Sequence, residues 1–191
     1  MRLKQCVDGL GKSIPWYTYP AIEYIKQLDL SDKRVFEYGS GYSTIFWSSR
    51  CKELTSVEHD EFWYQQIRDR LPVNVNYHLE QNVEGYVNVI NNSDEKFDVV
   101  IIDGAYRYDC TAAALTKLKS SGFIILDNSD WMTKSSQLLR EAGLIEVDMS
   151  GFGPINNYTW TTSFYFSRQV ELKPATDKQP RAGIGSSIQS G

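Results

Sequence analysis

Residues 35–43, V-F-E-Y-G-S-G-Y-S, constrain this chain more than any other stretch. A short apolar run ends beside an acid, two glycines follow one residue apart, and a small hydroxyl residue opens a helical pattern. That is a strand, a tight turn and a helix N-terminus, the layout with which α/β proteins hold nucleotide-like ligands. Gly-x-Gly turns also serve purely structural ends, so the ligand has to be read from the rest of the chain.

The rest of the chain alternates strands with helical segments. Apolar runs predict strands at 34–38, 53–58, 73–78, 97–102, 122–126, 144–149 and 159–166. Helical spacing predicts helices at 21–28, 44–50, 61–70, 83–90, 109–119 and 135–142. Asp60 is placed to cap the third helix and Pro72 to stop it. The run F-D-V-V-I-I at 97–102 is continuous rather than alternating, the signature of a parallel strand buried on both faces. Such alternation means βαβ units and a mostly parallel sheet. The last two strands have only a loop between them, so they are expected to pair antiparallel.

The 191 residues suit one domain, expected over 1–170, with 1–30 as an N-terminal cap segment and helix. Residues 171–191 are rich in Pro, Gly, Ser and Gln and read as a disordered tail. The formal net charge of −4, without a basic cluster, argues against a nucleic-acid partner. Three cysteines without a C-x-x-C pair indicate neither a disulfide framework nor a zinc site. The N-terminus lacks an apolar signal core, and the longest apolar runs are too short to span a bilayer. The expectation is a cytoplasmic protein without a membrane partner.

In an open α/β sheet, ligands bind off the carboxyl ends of the strands. Acids recur there: Glu37 before Gly39 and Gly41, Glu58 before His59, Asp103, and Asp127 before Asn128. Glu58 lies about 20 residues beyond the turn, where a carboxylate accepts hydrogen bonds from ribose hydroxyls. That suggests an adenosine and leaves NAD and S-adenosylmethionine in contention. A dinucleotide fingerprint wants a third glycine where this chain has Thr44. Glu37 would repel a pyrophosphate but suits a ligand carrying an ammonium and a sulfonium. Both points favour S-adenosylmethionine; an NAD-linked oxidoreductase and a non-catalytic binding protein are the alternatives.

Taken together, E-Y-G-S-G-Y-S, V-E-H-D, F-D-V-V-I-I-D-G and G-F-I-I-L-D-N-S-D resemble, in order and spacing, the class I S-adenosylmethionine-dependent methyltransferases. The resemblance covers roughly residues 15–167. It implies an α/β, three-layer Rossmann-like fold with a mostly parallel seven-stranded sheet whose last strand is antiparallel. It also implies that Glu37, Gly39, Ser40, Gly41 and Ser43 surround the methionine part of the cofactor and that Glu58 binds ribose. His59 would flank adenine, Asn82 and Val83 would meet its edge, and Asp103 would stand at the reacting centre. The implied activity is methyl transfer to a small-molecule acceptor at a hydroxyl oxygen, with Asp103, Tyr106 and Arg107 as the candidate catalytic residues. The set Asp103, Asp127 and Asn128 is similar to the metal triad of catechol-type O-methyltransferases, whose hard oxygens suit Mg²⁺ or Ca²⁺. Those enzymes carry a lysine base three residues after the first Asp; here that position is Tyr106, followed by Arg107. Trp16, Tyr17, Tyr19, Tyr106, Arg107, Trp131 and Trp160 are candidates for a substrate wall or lid.

Overall fold

A computed structural model describes residues 5–180. Its elements follow one another as α1 Tyr19–Ile25, β1 Leu28–Asp29, β2 Arg34–Tyr38, α2 Tyr42–Ser48, β3 Glu53–Glu58, α3 Glu61–Arg68, β4 Val75–Leu79 and α4 Val83–Asn88. After a 3₁₀ turn at Val89–Asn92 come β5 Phe97–Ile102, α5 Arg107–Lys117, β6 Leu118–Asp127, α6 Thr133–Glu141, β7 Ile145–Gly151, β8 Trp160–Phe166 and β9 Lys173–Pro174. Among these residues no helix is long and apolar enough to cross a membrane.

Seven strands form one sheet in the order β4-β3-β2-β5-β6-β8-β7. β2, β3, β4, β5 and β6 run parallel, and β8 inserts antiparallel between β6 and β7. This is the Rossmann-like methyltransferase architecture expected from the resemblance, with the antiparallel strand last in the chain within this sheet. The strand order reverses between β2 and β5, so the carboxyl ends of these two strands flank the crevice in which open α/β sheets bind ligands.

Strand composition explains the layering. Along β2, β5 and β6, successive side chains enter opposite cores, as the two-residue period requires. Val35, Val99, Ile101, Phe123 and Ile125 pack with α1 and α2 residues such as Ile22, Ile25, Phe46 and Trp47. Phe36, Val100, Ile102, Ile124 and Leu126 pack on the other face with Tyr86, Cys110, Ala114 and Leu139 from α4, α5 and α6. Both faces are covered, which is why β5 is apolar from Val99 to Ile102. β7, on the sheet edge, mixes half-buried and exposed positions.

Several boundaries differ from the sequence expectation for local reasons. Helix α2 starts at Tyr42, inside the Gly turn, because Gly41 takes an extended backbone at the cap and Thr44 answers its N–H. Helix α5 spans Arg107–Lys117 rather than 109–119, and Leu118 already belongs to β6. The pairing of β5 with β6 shifts register between Phe97 and Val99, which accommodates this longer strand. Composition marked 171–191 as a disordered tail, but Lys173–Pro174 pairs antiparallel with Leu28–Asp29, and the Ala175 N–H donates to the Gln27 carbonyl at 2.8 Å. Residues 181–191 of that tail lie outside the described residues.

Candidate active site

The Gly-rich turn is held from below by two acids. Glu37 is fully buried beneath it, and its Oε2 accepts from Thr44 Oγ1 at 2.6 Å and Ser56 Oγ at 2.7 Å. Thr44 Oγ1 in turn accepts the Gly41 N–H at 2.9 Å. The position where a dinucleotide fingerprint has a third glycine therefore carries a hydroxyl that ties the turn to the strand acid. Oε1 of Glu37 is buried and, among the described residues, has no hydrogen-bond partner. Burial pushes the Glu37 carboxyl up to about 7, against the pull of the hydroxyls around it.

Glu58 sits at the carboxyl end of β3 and is nearly buried. Its Oε2 accepts the Ser40 N–H at 3.0 Å and the Ser40 hydroxyl at 2.7 Å. Its Oε1 accepts the N–H groups of His59 and Asp60 at 2.8 and 3.0 Å and lies 3.0 Å from His59 Nδ1. One carboxylate thus braces both the Gly turn and the start of α3. Asp60 caps that helix as expected, accepting from the Trp63 N–H at 2.7 Å. The Trp63 indole then folds back over the turn and donates to the Ser40 carbonyl at 2.7 Å.

Glycine is required where the turns after β2 and β5 meet. Gly39 has φ +85, and a Cβ there would lie 2.6 Å from the Gly104 Cα. A Cβ on Gly104 would lie 2.0 Å from the Tyr86 hydroxyl and 2.7 Å from the Gly39 nitrogen. Bare backbone on both sides lets the two strand ends close on one another.

Beyond this contact opens a cavity of about 520 Å³. Ser40, Gly41, Tyr42, Ser43 and Trp63 line it on the turn side, and Asp103, Arg107, Asp127 and Asn128 form its polar floor. Trp16, Trp131, Ile155, Asn156, Tyr158 and Trp160 make the far wall. Cys6 also lines it, but burial and the nearby Asp103 charge push its thiol up to about 12, so it is not a thiolate nucleophile.

The polar floor is organised by one cation. Arg107 donates from Nε to the Gly104 carbonyl at 3.0 Å. From Nη2 it donates to the carbonyl and Oδ1 of Asp103, both at 3.1 Å. From Nη1 it donates to the Asp127 carbonyl and to Asn128 Oδ1, the latter at 2.9 Å. Asn128 has φ 53, a left-handed conformation that asparagine tolerates better than most residues, and it presents its side-chain oxygen to the guanidinium. Asp127 Oδ1 accepts from Trp160 Nε1 at 3.1 Å and Thr162 Oγ1 at 2.5 Å. Burial raises both carboxyls above the ordinary range; repulsion from Asp127 raises Asp103 further, and Arg107 pulls it back.

This geometry corrects the metal expectation. Asp103 Oδ1 and Asn128 Oδ1, two of the oxygens that would face Mg²⁺ or Ca²⁺, already accept from the Arg107 guanidinium, and Asp127 Oδ1 accepts from Trp160 and Thr162. Asp103, Asp127 and Asn128 do not fit a divalent ion as they stand. Among the described residues no group of three His, Cys, Asp or Glu is arranged for a metal.

Other sequence candidates separate. Ser40, Gly41, Ser43, Asp103 and Arg107 line the cavity, whereas Glu37 and Glu58 stand behind its turn-side wall as braces. Tyr106, the residue before α5 with φ 51, is not among the residues lining the cavity. Its ring lies 5.9 Å from that of Tyr86 and 6.4 Å from that of His59, so these three form an aromatic group beside the ends of β3 and β5. Asn82 caps α4, accepting from the Gly85 N–H at 2.7 Å, and Val83 next to it is half exposed. Tyr17 belongs to the core rather than the wall, with its hydroxyl 3.4 Å from Trp47 Nε1. Trp63, Tyr42, Asn156 and Tyr158 are wall residues the sequence reading did not single out. Trp63 carried a signal: the first turn of a helix that follows a strand faces the carboxyl edge of the sheet.

No family model matches the chain, and no curated protein sequence does. Solved structures do match. Precorrin-6y C5,15-methyltransferase from Geobacter metallireducens GS-15 shares 19% identity over 77% of this chain and 86% of its own, with a TM-score of 0.59. The O-methyltransferase TomG from Streptomyces achromogenes, solved with S-adenosylmethionine, shares 13% over 77% of this chain and 76% of its own, with a TM-score of 0.59. An rRNA methylase from Streptococcus thermophilus shares 16% over 78% of this chain and 96% of its own, with a TM-score of 0.53. These structures share the class I methyltransferase fold with this chain and differ widely in acceptor.

Proposed function

We propose that this chain, which has the class I methyltransferase fold, transfers a methyl group from S-adenosylmethionine to the hydroxyl oxygen of a small molecule. One observation carries the reading. The Gly39–Gly41 turn, braced by Glu37 and Glu58, opens directly onto an aromatic cavity floored by Asp103. The residues fit the cofactor chemically. The turn offers bare backbone, Glu37 keeps an unpartnered buried oxygen beneath it, and aromatic faces favour a sulfonium over an anion. Glu58 would hold the ribose by exchanging its bond to the Ser40 hydroxyl. His59, Asn82 and Val83, grouped around the ends of β3 and β4, would border the adenine.

When bound, S-adenosylmethionine supplies an electrophilic methyl group on a sulfonium sulfur. The protein's part is placement and proton removal. Trp16, Trp131, Tyr158 and Trp160 would hold a flat acceptor and exclude water, the placement that an in-line displacement needs. Asp103 faces the cavity with about one-fifth of its side chain exposed. Its raised proton affinity suits it to take the acceptor's hydroxyl proton as the oxygen attacks. Arg107 holds that carboxylate in place.

The test is label transfer from methyl-tritiated S-adenosylmethionine to a panel of small hydroxylated aromatics. The wild type is expected to label at least one of them. Asp103→Asn keeps the shape and the Arg107 contact and is expected to lose about 10²–10⁴-fold in rate. Transfer by the variant at the wild-type rate would remove Asp103 from the chemistry.

A further inference from the structure

We propose that Arg107 is a built-in replacement for a divalent cation: it positions Asp103 and Asn128 at the floor of the cavity and makes the site independent of metal. The inference rests on reading this cavity as the acceptor's seat, but its test does not depend on methyl transfer.

The donor set is the argument. Around the guanidinium stand the carboxylate of Asp103, the side-chain amide oxygen of Asn128, and the backbone carbonyls of Asp103, Gly104 and Asp127. All are hard oxygens, the kind that surround Mg²⁺, Mn²⁺ or Ca²⁺. They come from the carboxyl ends of two neighbouring strands, β5 and β6, whose ends a shared cation would hold together. Arg107 supplies that cation from the first residue of α5, and its three nitrogens make five hydrogen bonds to these groups. A guanidinium carries five N–H donors, so none remains for an outside ligand. Arg107 is therefore not an anchor for an anionic acceptor. It neutralises charge and fixes direction, and the acceptor meets Asp103 rather than the arginine. The side chain is largely buried, which strengthens the attraction and excludes a competing hydrated ion.

Removing the arginine should expose an oxygen cage of the right chemistry for a metal. The experiment follows Mn²⁺ binding to the full chain by electron paramagnetic resonance, together with thermal melts with and without Mn²⁺. The variants are Arg107→Ala, Arg107→Gln and Arg107→Lys. The wild type is expected to show no stoichiometric Mn²⁺ site. Arg107→Ala should melt lower, take up about one Mn²⁺ per chain at least tenfold more tightly than the wild type, and regain stability with it. Arg107→Gln leaves more of the side chain in place and should gain the same site, so it carries the test if the alanine variant does not fold. Arg107→Lys keeps a cation at the position and should gain no site. A purely structural arginine would lower the melting temperature without creating metal affinity. Equal Mn²⁺ binding by the wild type and the variants, or no gain in either folded neutral variant, would overturn the proposal. If S-adenosylmethionine fails to bind the wild type, the functional reading falls while the Mn²⁺ result still stands or falls by itself.

Discussion

At the scale of single residues, Glu37 and Thr44 define the turn. A carboxyl buried with one oxygen unpartnered is held at an elevated pKa, and this has a consequence for stability. The ordinary value is 4.5 and the folded value is about 7, so between them the folded chain holds a proton that the unfolded chain has released. Stability must then fall as pH rises through this window, with the full cost, about 3 kcal/mol, reached above the folded value. Glu37→Gln removes the titration. Urea unfolding from pH 4.5 to 8 should show the variant gaining on the wild type as pH rises; parallel curves would mean Glu37 is charged throughout or already compensated. Much of this chemistry was legible in the sequence. Glu37, Glu58, Asp103 and Asp127 were identifiable because acids stand out at the ends of apolar strands. What each acid does was not legible, because the hydroxyls of Thr44 and Ser56 and the guanidinium of Arg107 reach them only in three dimensions. Arg107 follows Tyr106 in the chain, yet they point to different places: one into the floor, the other toward His59 and Tyr86.

At the scale of elements, β2, β3 and β5 were legible to the residue, whereas the apolar run of β6 marked only its inner part, because that strand already starts at Leu118. Helix starts were less so, because capping depends on backbone that composition does not reveal: Gly41 caps α2 and a left-handed Tyr106 caps α5. The approach of the β2 and β5 turns was invisible in sequence, since nothing local says that Gly39 and Gly104 face one another. The contact makes a sharp prediction. In Gly104→Ala the new methyl would meet the Tyr86 hydroxyl and the Gly39 backbone, and only the hydroxyl can be removed by mutation. Gly104→Ala should cost about 1–3 kcal/mol in chemical denaturation. Adding Tyr86→Phe should recover part of that loss. A stability equal to that of the wild type would show that the turns yield easily and do not fix the site.

At the scale of the whole molecule, one topology gathers the chemistry. Five parallel strands end on the same edge of the sheet, and the strand order reverses between β2 and β5. The antiparallel insertion of β8 brings Trp160 against Asp127, and the loop that joins it to β7 supplies Ile155, Asn156 and Tyr158 to the cavity wall. That loop was legible as a connection but not as a wall, because its reach depends on where β8 pairs. The central claim is that this edge binds S-adenosylmethionine rather than a dinucleotide. Titration calorimetry of the full chain with S-adenosylhomocysteine and, separately, with NAD tests it most directly. Saturable binding of about one S-adenosylhomocysteine per chain with no heat from NAD is the predicted result; binding of NAD alone, or of neither, would contradict it.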